Sequence, residues 1–432
     1  MILHSTNGVS PKVSFAQGIA NGLAPDGGLY MPDALPTLPR AFYRNIGEMS
    51  LRDVGYVVAN TLFGDMVSST KLKAIVDESL NFDIPLRHVA GNRYVLDLFN
   101  GPTFSFKDVG ARFMARLMPE LAWTDSHRER NIILATSGDS GGAIANAFSR
   151  SANTNVYILF PKGDLTPEQV AQFATLRHVI AVEVDGTFDD CQNLVMEALR
   201  ADAAKGENRL TAGNSINPAR ELPSVIYYFH AYARAVAAAG NDAKVVISVP
   251  CGNLGSLAAA LMAKRMGLPV ERFFAANNAN DVFVEYLKTG GFKPQRALET
   301  LARAMDVGNP SNIARIIDLY QGDLPRLRRD VEGYAYGDDE IAATMRETLE
   351  LTGMHIDPQG AIALRAINRH LRPDETGVAL ASAHPAKFAA AAMKATGTVP
   401  QRPQNMQRPM GLPMRIFHIP PTHGALHRIM KQ

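Results

Sequence analysis

The stretch Gly101-Pro-Thr-Phe-Ser-Phe-Lys107-Asp108 decides the fold, because it joins a predicted strand to a predicted helix. The run Tyr94–Phe99 before it is typical of a strand, and apolar residues recur every fourth position from Val109 to Leu121. Lys107 therefore falls in the first turn of a helix, where the helix dipole and the adjacent phenylalanines disfavour its charged form. A neutral amine there suits a Schiff-base lysine, although a surface lysine at a helix start gives the same pattern.

Two glycine-rich loops later in the chain favour a ligand site over a plain surface lysine. The loop Thr136–Gly142 follows the apolar run Asn131–Ala135, and the loop Pro250–Ser256 follows the apolar run Val245–Val249. A helical pattern follows each loop. Backbone N–H groups at such a helix start, together with the helix dipole, form an anion site. One such loop is weak evidence, but two loops and Lys107 in one chain form a coherent pattern.

Strands and helices alternate from Tyr94 onward, which is the signature of parallel βαβ layers. Ligands of such sheets bind at the carboxyl ends of the strands. The two glycine-rich loops and Ser382 all follow predicted strands, so we expect them to meet in one crevice. Segment 290–329 is rich in Gly, Pro and Arg and is predicted to be mainly loop. The predicted strands are Tyr94–Phe99, Asn131–Ala135, Val156–Phe160, Val179–Val184, Lys244–Val249, Arg272–Ala276 and Gly377–Ser382.

Composition excludes several classes of protein. A chain of 432 residues is long enough for two or three domains, and 46% hydrophobic with 20% charged residues is typical of a globular protein. A net charge of +2 gives no reason to expect nucleic acid or a membrane surface as a partner. Two cysteines cannot form a disulfide framework, the histidines show no metal-site spacing, and the N-terminus lacks signal-peptide features. We therefore expect a cytoplasmic protein without a metal.

The chain resembles the threonine synthase family, in its long bacterial and fungal type, along nearly its whole length. The motifs that carry this resemblance are Val13–Gln17, Gly101–Asp108, Thr136–Gly141, Asn214-Ser-Ile-Asn-Pro218 with Arg220, Ser248–Gly255 and Ala383-His-Pro-Ala-Lys-Phe388. The resemblance implies an α/β fold of fold-type II, similar to tryptophan synthase β, with two βαβ-layered domains and an accessory N-terminal domain. It implies the cofactor pyridoxal 5′-phosphate (PLP).

The resemblance also assigns residues to the cofactor. Lys107 matches the lysine that binds the PLP aldehyde and acts in catalysis. Ser382, just before Ala383 and His384, matches the hydroxyl that faces the pyridine nitrogen, although a helix N-cap explains a serine there equally well. His384 is more simply a structural imidazole than a proton shuttle. The implied phosphate cradle consists of Cys251, Gly252, Asn253, Leu254, Gly255 and Ser256.

Substrate contacts follow from two further motifs. The loop with Ser137, Gly138, Asp139 and Ser140 resembles the loop that binds the substrate α-carboxylate. Asp139 would repel a carboxylate, so we expect it to face the cofactor or to cap the loop. Asn214 and Arg220 match the family's substrate-phosphate contacts, and an arginine fork suits a phosphate. An Asx-capped helix with a solvated arginine is the alternative that the spacing alone favours.

The sequence also departs from the family pattern. Ser140 and Ser382 stand where threonine is usual, and Ser105 stands where alanine is common. In the cradle, Cys251, Leu254 and Ser256 replace a more usual Ser, Phe and an acidic or amide residue. The cradle is therefore repacked, which bears on cofactor affinity and less directly on substrate choice.

The resemblance implies a lyase that converts O-phospho-L-homoserine and water to L-threonine and phosphate, the last step of threonine biosynthesis. Two alternatives remain open: another fold-type II lyase, such as a serine/threonine dehydratase or a paralogue of specialised metabolism, and a non-catalytic PLP-binding protein. We expect a monomer or weak homodimer. The expected domains are an accessory domain (1–92), a large PLP domain (93–130 and 216–432) and a small PLP domain (131–215).

Overall fold

The computed structural model describes residues 1–123, 129–205, 210–406 and 412–431. Its strands, in chain order, are β1 (Ile2–Ser5), β2 (Val13–Ser14), β3 (Tyr30–Pro32), β4 (Leu86–Ala90), β5 (Arg93–Asp97), β6 (Arg130–Ala135), β7 (Thr154–Pro161), β8 (Val179–Val184), β9 (Leu210–Ala212), β10 (Lys244–Pro250), β11 (Arg272–Asn277), β12 (Val331–Ala335), β13 (Glu375–Ala381) and β14 (Ile416–Ile419).

The α-helices, in the same order, are α1 (Phe15–Asn21), α2 (Arg40–Asn45), α3 (Leu51–Phe63), α4 (Ser69–Ser79), α5 (Lys107–Leu121), α6 (Asp139–Ala147), α7 (Pro167–Ala174), α8 (Phe188–Lys205), α9 (Pro218–Glu221), α10 (Val225–Ala239), α11 (Gly255–Arg265), α12 (Val282–Thr289), α13 (Ile313–Leu319), α14 (Leu324–Asp330), α15 (Asp338–Thr352), α16 (Pro358–His370), α17 (Ala389–Thr396) and α18 (His423–Met430). Short 3-10 turns occupy Ile46–Glu48, Leu222–Ser224, Arg303–Met305, Pro385–Phe388 and Gln404–Met406. None of the helices in these described ranges combines the length and apolar character needed to cross a bilayer.

The strands form three sheets. A six-stranded sheet has the order β12-β11-β10-β13-β5-β4, and a five-stranded sheet has the order β14-β8-β7-β6-β9. All pairs in both sheets are parallel except β4 with β5. A small antiparallel sheet joins β2, β1 and β3. The α/β class expected from the sequence is confirmed.

The central strands are apolar because helices cover both faces of the parallel sheets. Every residue of β11 and β13 is buried, as a parallel sheet between helix layers requires. Helix α10 is buried along almost its whole length, and it packs against α3 and α11. On the five-stranded sheet, α8 and α18 pack together over one face. The sheets are therefore held rigidly enough to position the loops at their carboxyl edges.

Sequence signals place several helix starts. Ser50 and Asp53 form a capping box at α3, and Thr166 and Gln169 form one at α7. The helix start predicted at Lys107 is confirmed, since Lys107 is the first residue of α5. Segment 290–329 was expected to be mainly loop. Residues 291–302 lack helix and strand, and most of the segment lies outside regular elements, as expected, although α13 and α14 fold within its second half.

Two strand pairings cross the expected domain boundaries. Strand β4, from the region 1–92, pairs with β5 in the six-stranded sheet. Strand β14, from the region 216–432, pairs with β8 in the five-stranded sheet. Chain order therefore does not by itself separate the sheets, and the domain division stays a prediction.

Candidate active site

A cavity of 480 Å³ collects the residues that follow four parallel strands. It is lined by Leu98 after β5, by Thr136 after β6, by Gly252 after β10 and by Ser382 after β13. Carboxyl ends of parallel strands are where α/β folds place their ligands. Most residues that the sequence singles out meet here; those that line the cavity are Lys107, Ser137, Asp139, Ser140, Asn214, Arg220, Gly252, Asn253, Leu254, Gly255, Ser256 and Ser382.

Lys107 enters this cavity from the first turn of α5. Its Nζ lies 5.8 Å from the centre of the Phe106 ring. Burial lowers the pKa of Lys107, and the charges of Arg220 and Lys387 add to that effect while Asp139 opposes it. The net lowering favours the neutral amine, which is the form that attacks a carbonyl carbon.

Backbone pairing holds the lysine loop against the end of β13. The N–H of Phe106 donates to the carbonyl of Ser382 at 2.8 Å, and the N–H of His384 donates to the carbonyl of Phe104 at 3.0 Å. On the other side, the Asp108 carboxylate accepts from the N–H of Thr103 at 2.9 Å and from its hydroxyl at 2.6 Å. These bonds keep Lys107 and Ser382 in the same part of the cavity.

Asp357 holds the backbone of Ser382 by a hydrogen bond. It is the N-cap of α16, and its carboxylate accepts from the N–H of Gly360 at 2.7 Å and from the N–H of Ser382 at 3.2 Å. Burial raises the pKa of Asp357 to about 7 despite these bonds. The serine hydroxyl remains available to the cavity, so Ser382 can face a ring nitrogen.

His384 lies outside the cavity lining. Its Nδ1 accepts from the N–H of Ala386 at 3.2 Å, and its ring contacts Phe99 and Phe104 edge-on. Burial lowers its pKa, and the charge of Lys387 adds to the effect. The geometry fits a neutral capping imidazole, which is the structural role expected from the sequence.

The first glycine-rich loop is closed by a hydroxyl of its own. Thr136 Oγ1 accepts from the N–H of Gly138 at 3.0 Å and from the N–H of Gly141 at 2.9 Å. Gly138 adopts φ +123°, which an L side chain rarely adopts, and it does not itself line the cavity. This turn presents Ser137 and Ser140 to the cavity at the start of α6, where a carboxylate is well placed.

Asp139 forms a buried ion pair that the sequence analysis did not anticipate. The ammonium of Lys387 contacts the Asp139 carboxylate and also donates to the carbonyl of Thr103 at 2.8 Å. Burial alone would raise the pKa of Asp139, but the charges of Lys387 and Lys107 lower it below its ordinary value. Asp139 is thus a buried carboxylate held by a cation, and it does not behave as a plain turn residue.

The second glycine-rich loop leaves a helix N-terminus open toward the cavity. Leu254, the N-cap of α11, adopts the left-handed conformation with φ +60° and provides no capping side chain. The first N–H groups of a helix have no intrahelical acceptor. A Cβ on Gly252 would lie 3.0 Å from the Cα of Met305, a tight contact that would require the Met305 backbone or the loop to shift. The residues present therefore fit a phosphate.

Not every predicted cradle side chain points to the cavity. Cys251 is buried outside the lining, its thiol donates to the carbonyl of Val249, and burial raises its pKa. The amide of Asn253 is bonded to Ser311. The Ser256 hydroxyl lies 2.9 Å from the Tyr227 hydroxyl and 2.8 Å from that of Tyr228. The cradle is therefore built mainly from backbone, with one hydroxyl held by two tyrosines.

Arg220 reaches the cavity from the short helix α9. Asn217 caps that helix by accepting from the N–H of Ala219 at 2.9 Å, so the Asx cap is present. Arg220 is nevertheless only 5% exposed, and its Nε has no hydrogen-bond partner among the described residues. Nearby, Asn214 accepts from the N–H of Ile216 at 3.2 Å. A buried guanidinium that faces a cavity is suited to bind an anion. Arg220 is therefore not the solvent-exposed helix residue of the alternative interpretation.

Four lining or adjacent residues were missed by the sequence analysis. Lys387 stands in the motif Ala383–Phe388, and Glu221 directly follows Arg220, so both lay beside recognised residues. Asp357 precedes Pro358 at an apolar helical pattern, which is an ordinary N-cap signal. Tyr227 had no signal, because it falls in an apolar helical stretch.

Known protein families match nearly the whole length of the chain. A family described as pyridoxal-phosphate dependent enzyme matches residues 85–383. Two further families match the ends: threonine synthase N terminus over residues 3–80, and threonine synthase, C-terminal, over residues 360–430. A threonine synthase of Serratia marcescens is 37% identical over 100% of this chain and 99% of its own.

Solved structures agree with these matches. The crystal structure of threonine synthase from Escherichia coli superposes with a TM-score of 0.92 at 34% identity, covering 100% of this chain and 99% of the other. The crystal structure of PLP-bound threonine synthase from Brucella melitensis has a TM-score of 0.89 at 32% identity, with the same coverage. The similarity therefore includes the N-terminal region as well as both large sheets, and it confirms the fold-type II architecture expected from the sequence.

Proposed function

The chain belongs to the threonine synthase family of pyridoxal-phosphate-dependent enzymes, and we propose that it converts O-phospho-L-homoserine and water to L-threonine and phosphate. One observation carries the proposal. A single cavity holds a lysine biased toward the neutral amine, an open helix N-terminus and a buried arginine. These are the three groups needed for an aldehyde, a first phosphate and a second phosphate.

The described residues fit PLP. When bound, PLP supplies an electron sink that stabilises carbanions beside its aldehyde carbon. Lys107 would hold the aldehyde, the backbone of loop 252–256 would hold the phosphate, and the Ser382 hydroxyl would face the ring nitrogen. A neutral hydroxyl does not force a proton onto that nitrogen.

Lys107 is the proposed proton carrier of the reaction. Its amine takes the proton from the substrate Cα and, after passing that proton on, helps to remove a proton from Cβ, while the C–O bond at Cγ breaks and phosphate leaves with the bonding electrons. One proton is returned to Cγ, water adds its hydroxyl at Cβ, one proton is returned to Cα, and the departing phosphate takes up the remaining proton. The lowered pKa of Lys107 supports this role, because an ammonium could not accept the first proton.

The remaining contacts orient the substrate. Ser137 and Ser140 would bind the α-carboxylate at the start of α6, aided by the helix dipole. Arg220, with Asn214 beside it, would bind the substrate phosphate and stabilise its departure. The hydroxyl substrate of a serine/threonine dehydratase would leave this buried guanidinium without an anion, which favours the phosphorylated substrate.

Purified protein supplied with O-phospho-L-homoserine should release inorganic phosphate and form threonine in equal amounts. Phosphate is measured colorimetrically, and the amino acid is identified by chromatography and mass. Deamination of serine or threonine to an oxo acid, without phosphate release from phosphohomoserine, would assign the protein to the dehydratases. Bound PLP with neither reaction would favour a non-catalytic role.

We further propose that the protein works in the cytoplasm as a monomer or weak homodimer, without nucleic acid, membrane or metal. The modest net charge of +2 gives no reason to expect nucleic acid or an anionic membrane as a partner. We also keep the proposed domains: an accessory domain (1–92), a large PLP domain (93–130 and 216–432) and a small PLP domain (131–215). Limited proteolysis with mass analysis of the fragments tests that division.

A further inference from the structure

Glu221 is a buried carboxyl in the cavity that the reaction described above does not use. It is the last residue of α9, it lines the cavity, and it is 4% exposed. Within the part of the chain that the structure describes, its Oε1 has no hydrogen-bond partner and the carboxylate forms no ion pair within 4 Å. A buried charged carboxylate without a partner is costly, so its surroundings must either neutralise it or supply a partner.

The carboxyl group lies at the open end of helix α11. A Cβ built on Gly255 would lie 3.2 Å from Oε2 of Glu221. Gly255 is the first residue of α11 and a member of the proposed phosphate cradle. Glu221 is therefore beside the place where the cofactor phosphate is proposed to bind.

Three ionisable groups on neighbouring elements face Glu221. Arg220 precedes it on α9, Arg315 approaches from α13, and Tyr227 approaches from α10. Arg315 is committed to other acceptors, since its guanidinium donates to the carbonyls of Ser215 and Ile216 and to the side chain of Asn312. Arg220 is the proposed contact of the substrate phosphate. Among the described residues, neither cation forms an ion pair with Glu221 within 4 Å, although both charges act on it from a longer distance.

We propose that Glu221 carries a proton and donates a hydrogen bond to the phosphate bound at the N-terminus of α11. This rests on the proposed function, which identifies that phosphate as the cofactor's. A carboxylate at this place would repel the phosphate dianion, whereas a carboxylic acid supplies a donor to it. The direction of the pKa agrees with this geometry: burial raises the pKa of Glu221, although Arg315 and Arg220 oppose the effect.

The proposal fixes the sign of a pH effect. A bound dianion raises the pKa of Glu221 further, so binding and protonation favour each other. Affinity for PLP is then highest while Glu221 is protonated, and it falls as the pH rises from the pKa of the free protein to that of the complex. Glutamine has the same shape, donates a hydrogen bond and cannot ionise, so Glu221→Gln removes this part of the pH dependence.

The test is equilibrium binding of PLP to protein freed of cofactor, followed by absorbance and fluorescence from about pH 6 to about pH 9. The proteins are wild type, Glu221→Gln, Glu221→Leu and, as a matched control, Glu197→Gln, whose parent side chain is exposed on α8. We expect the ratio of the wild-type to the Glu221→Gln dissociation constant to rise on the order of tenfold across this range. Glu221→Leu should bind PLP more weakly than Glu221→Gln at every pH, and Glu197→Gln should follow wild type.

Infrared difference spectra provide a second readout. PLP addition should perturb the C=O stretch of a protonated carboxylic acid in wild type, and Glu221→Gln should lack that band. Parallel wild-type and Glu221→Gln binding curves, or a missing band, would overturn the inference while leaving the proposed function intact. Unchanged PLP binding with an altered KM for phosphohomoserine in Glu221→Gln would overturn it as well, by placing the carboxyl at the substrate phosphate. Failure of every protein to bind PLP would instead overturn the proposed function.

Discussion

The loops Thr136–Gly142 and Pro250–Ser256 have the same local plan and different electrostatics. Each follows a parallel strand and opens a helix, so each places N–H groups at the cavity. In the first loop, the chain supplies its own acceptor, the Thr136 hydroxyl, and its own anion, Asp139. The first turn of α11 after the second loop holds no acidic residue and no side-chain cap.

The two loops differ in the source of the negative charge at the start of the following helix. Asp139 occupies the start of α6, and the buried Lys387 balances it, so that helix end carries its own charge pair. The start of α11 has no such charge pair, and with Glu221 protonated as proposed above it can accept an anion from outside the chain, because a cofactor phosphate there gains from the helix dipole. A glycine-rich turn before a helix therefore identifies an anion site only after the chain's own carboxylates have been located.

The largest expected effect comes from Lys107, which faces both loops. Lys107→Ala should lower kcat roughly a thousandfold or more, because both proton transfers and the covalent hold on PLP are lost. The fold should persist, since Lys107 is a helix start and not core. Borohydride reduction followed by peptide mass analysis should find PLP on Lys107 in wild type. A label on another lysine, or near-normal turnover of Lys107→Ala, would remove Lys107 from the mechanism.

Breaking the charge pair of the first loop tests whether that loop needs its own cation. Lys387→Met leaves Asp139 buried and unpaired, which should lower the free energy of unfolding by about 3–5 kcal/mol. Because the pKa of Asp139 is lowered in the folded protein, its stabilising contribution is present above the unfolded value of 3.8 and is lost as the pH falls through the folded value. The variant should lose that acid dependence.

Urea denaturation at several pH values measures this effect. The exposed pair Lys162–Asp185, 3.7 Å apart, provides the control, and Lys162→Met should cost less than about 1 kcal/mol. Asp139→Asn combined with Lys387→Met should recover part of the loss. Equal destabilisation by Lys387→Met and Lys162→Met would mean that the buried pair contributes no more than a surface pair.

Arg220 distinguishes the substrate phosphate from the cofactor phosphate at the second loop. Arg220→Ala should remove a charge-assisted contact of about 2–4 kcal/mol, which is roughly 30- to 1000-fold in kcat/KM for phosphohomoserine. Arg220→Lys should recover only part, because a point charge cannot replace the planar fork. PLP content, measured by absorbance, should not change in either variant. Near-normal kcat/KM in Arg220→Ala would refute the contact.

The smallest effects come from one substitution in each loop, compared in the same two assays. Gly252→Val should weaken PLP binding roughly ten- to hundredfold, because its side chain would crowd the Met305 backbone and displace the cradle. Ser140→Ala should raise the KM for phosphohomoserine only several-fold, or about 1 kcal/mol, without changing PLP affinity. If Gly252→Val raised the KM and Ser140→Ala weakened PLP binding, the cofactor phosphate would have to be assigned to the first loop and the substrate carboxylate to the second.

The long apolar strands and the helix starts could be predicted from sequence because their signals are local. All seven predicted strands are present, with ends that differ by a few residues; Val179–Val184 agrees at both ends. The short strands β9 and β14 were not predicted, since three or four residues show too little periodicity. Their pairing with β6 and β8 depends on contacts distant in sequence.

The candidate site also has parts that could be predicted from local sequence signals and parts that could not. Lys107, the two loops and Arg220 were predicted because glycine spacing, an unusual lysine and a family motif are all visible in the chain. The Asp139–Lys387 pair was not, since these residues lie 248 positions apart. The role of Glu221 was not predicted, because its burial beside Gly255 depends on the tertiary structure that brings the end of α9 near the start of α11.

By itself, the sequence determined the α/β class, the family, the cofactor and the positions of the candidate groups, because strand periodicity, glycine turns and motif residues are properties of short segments. Only the tertiary structure decided which of these groups are buried, paired or open. Asp139 pairs with Lys387, Arg220 is buried, and Asn253 is hydrogen-bonded to Ser311. Among the described residues, Oε1 of Glu221 has no hydrogen-bond partner. The physical reason is that charge state and binding capacity depend on desolvation and on neighbours, and both are set by packing between segments far apart in the chain.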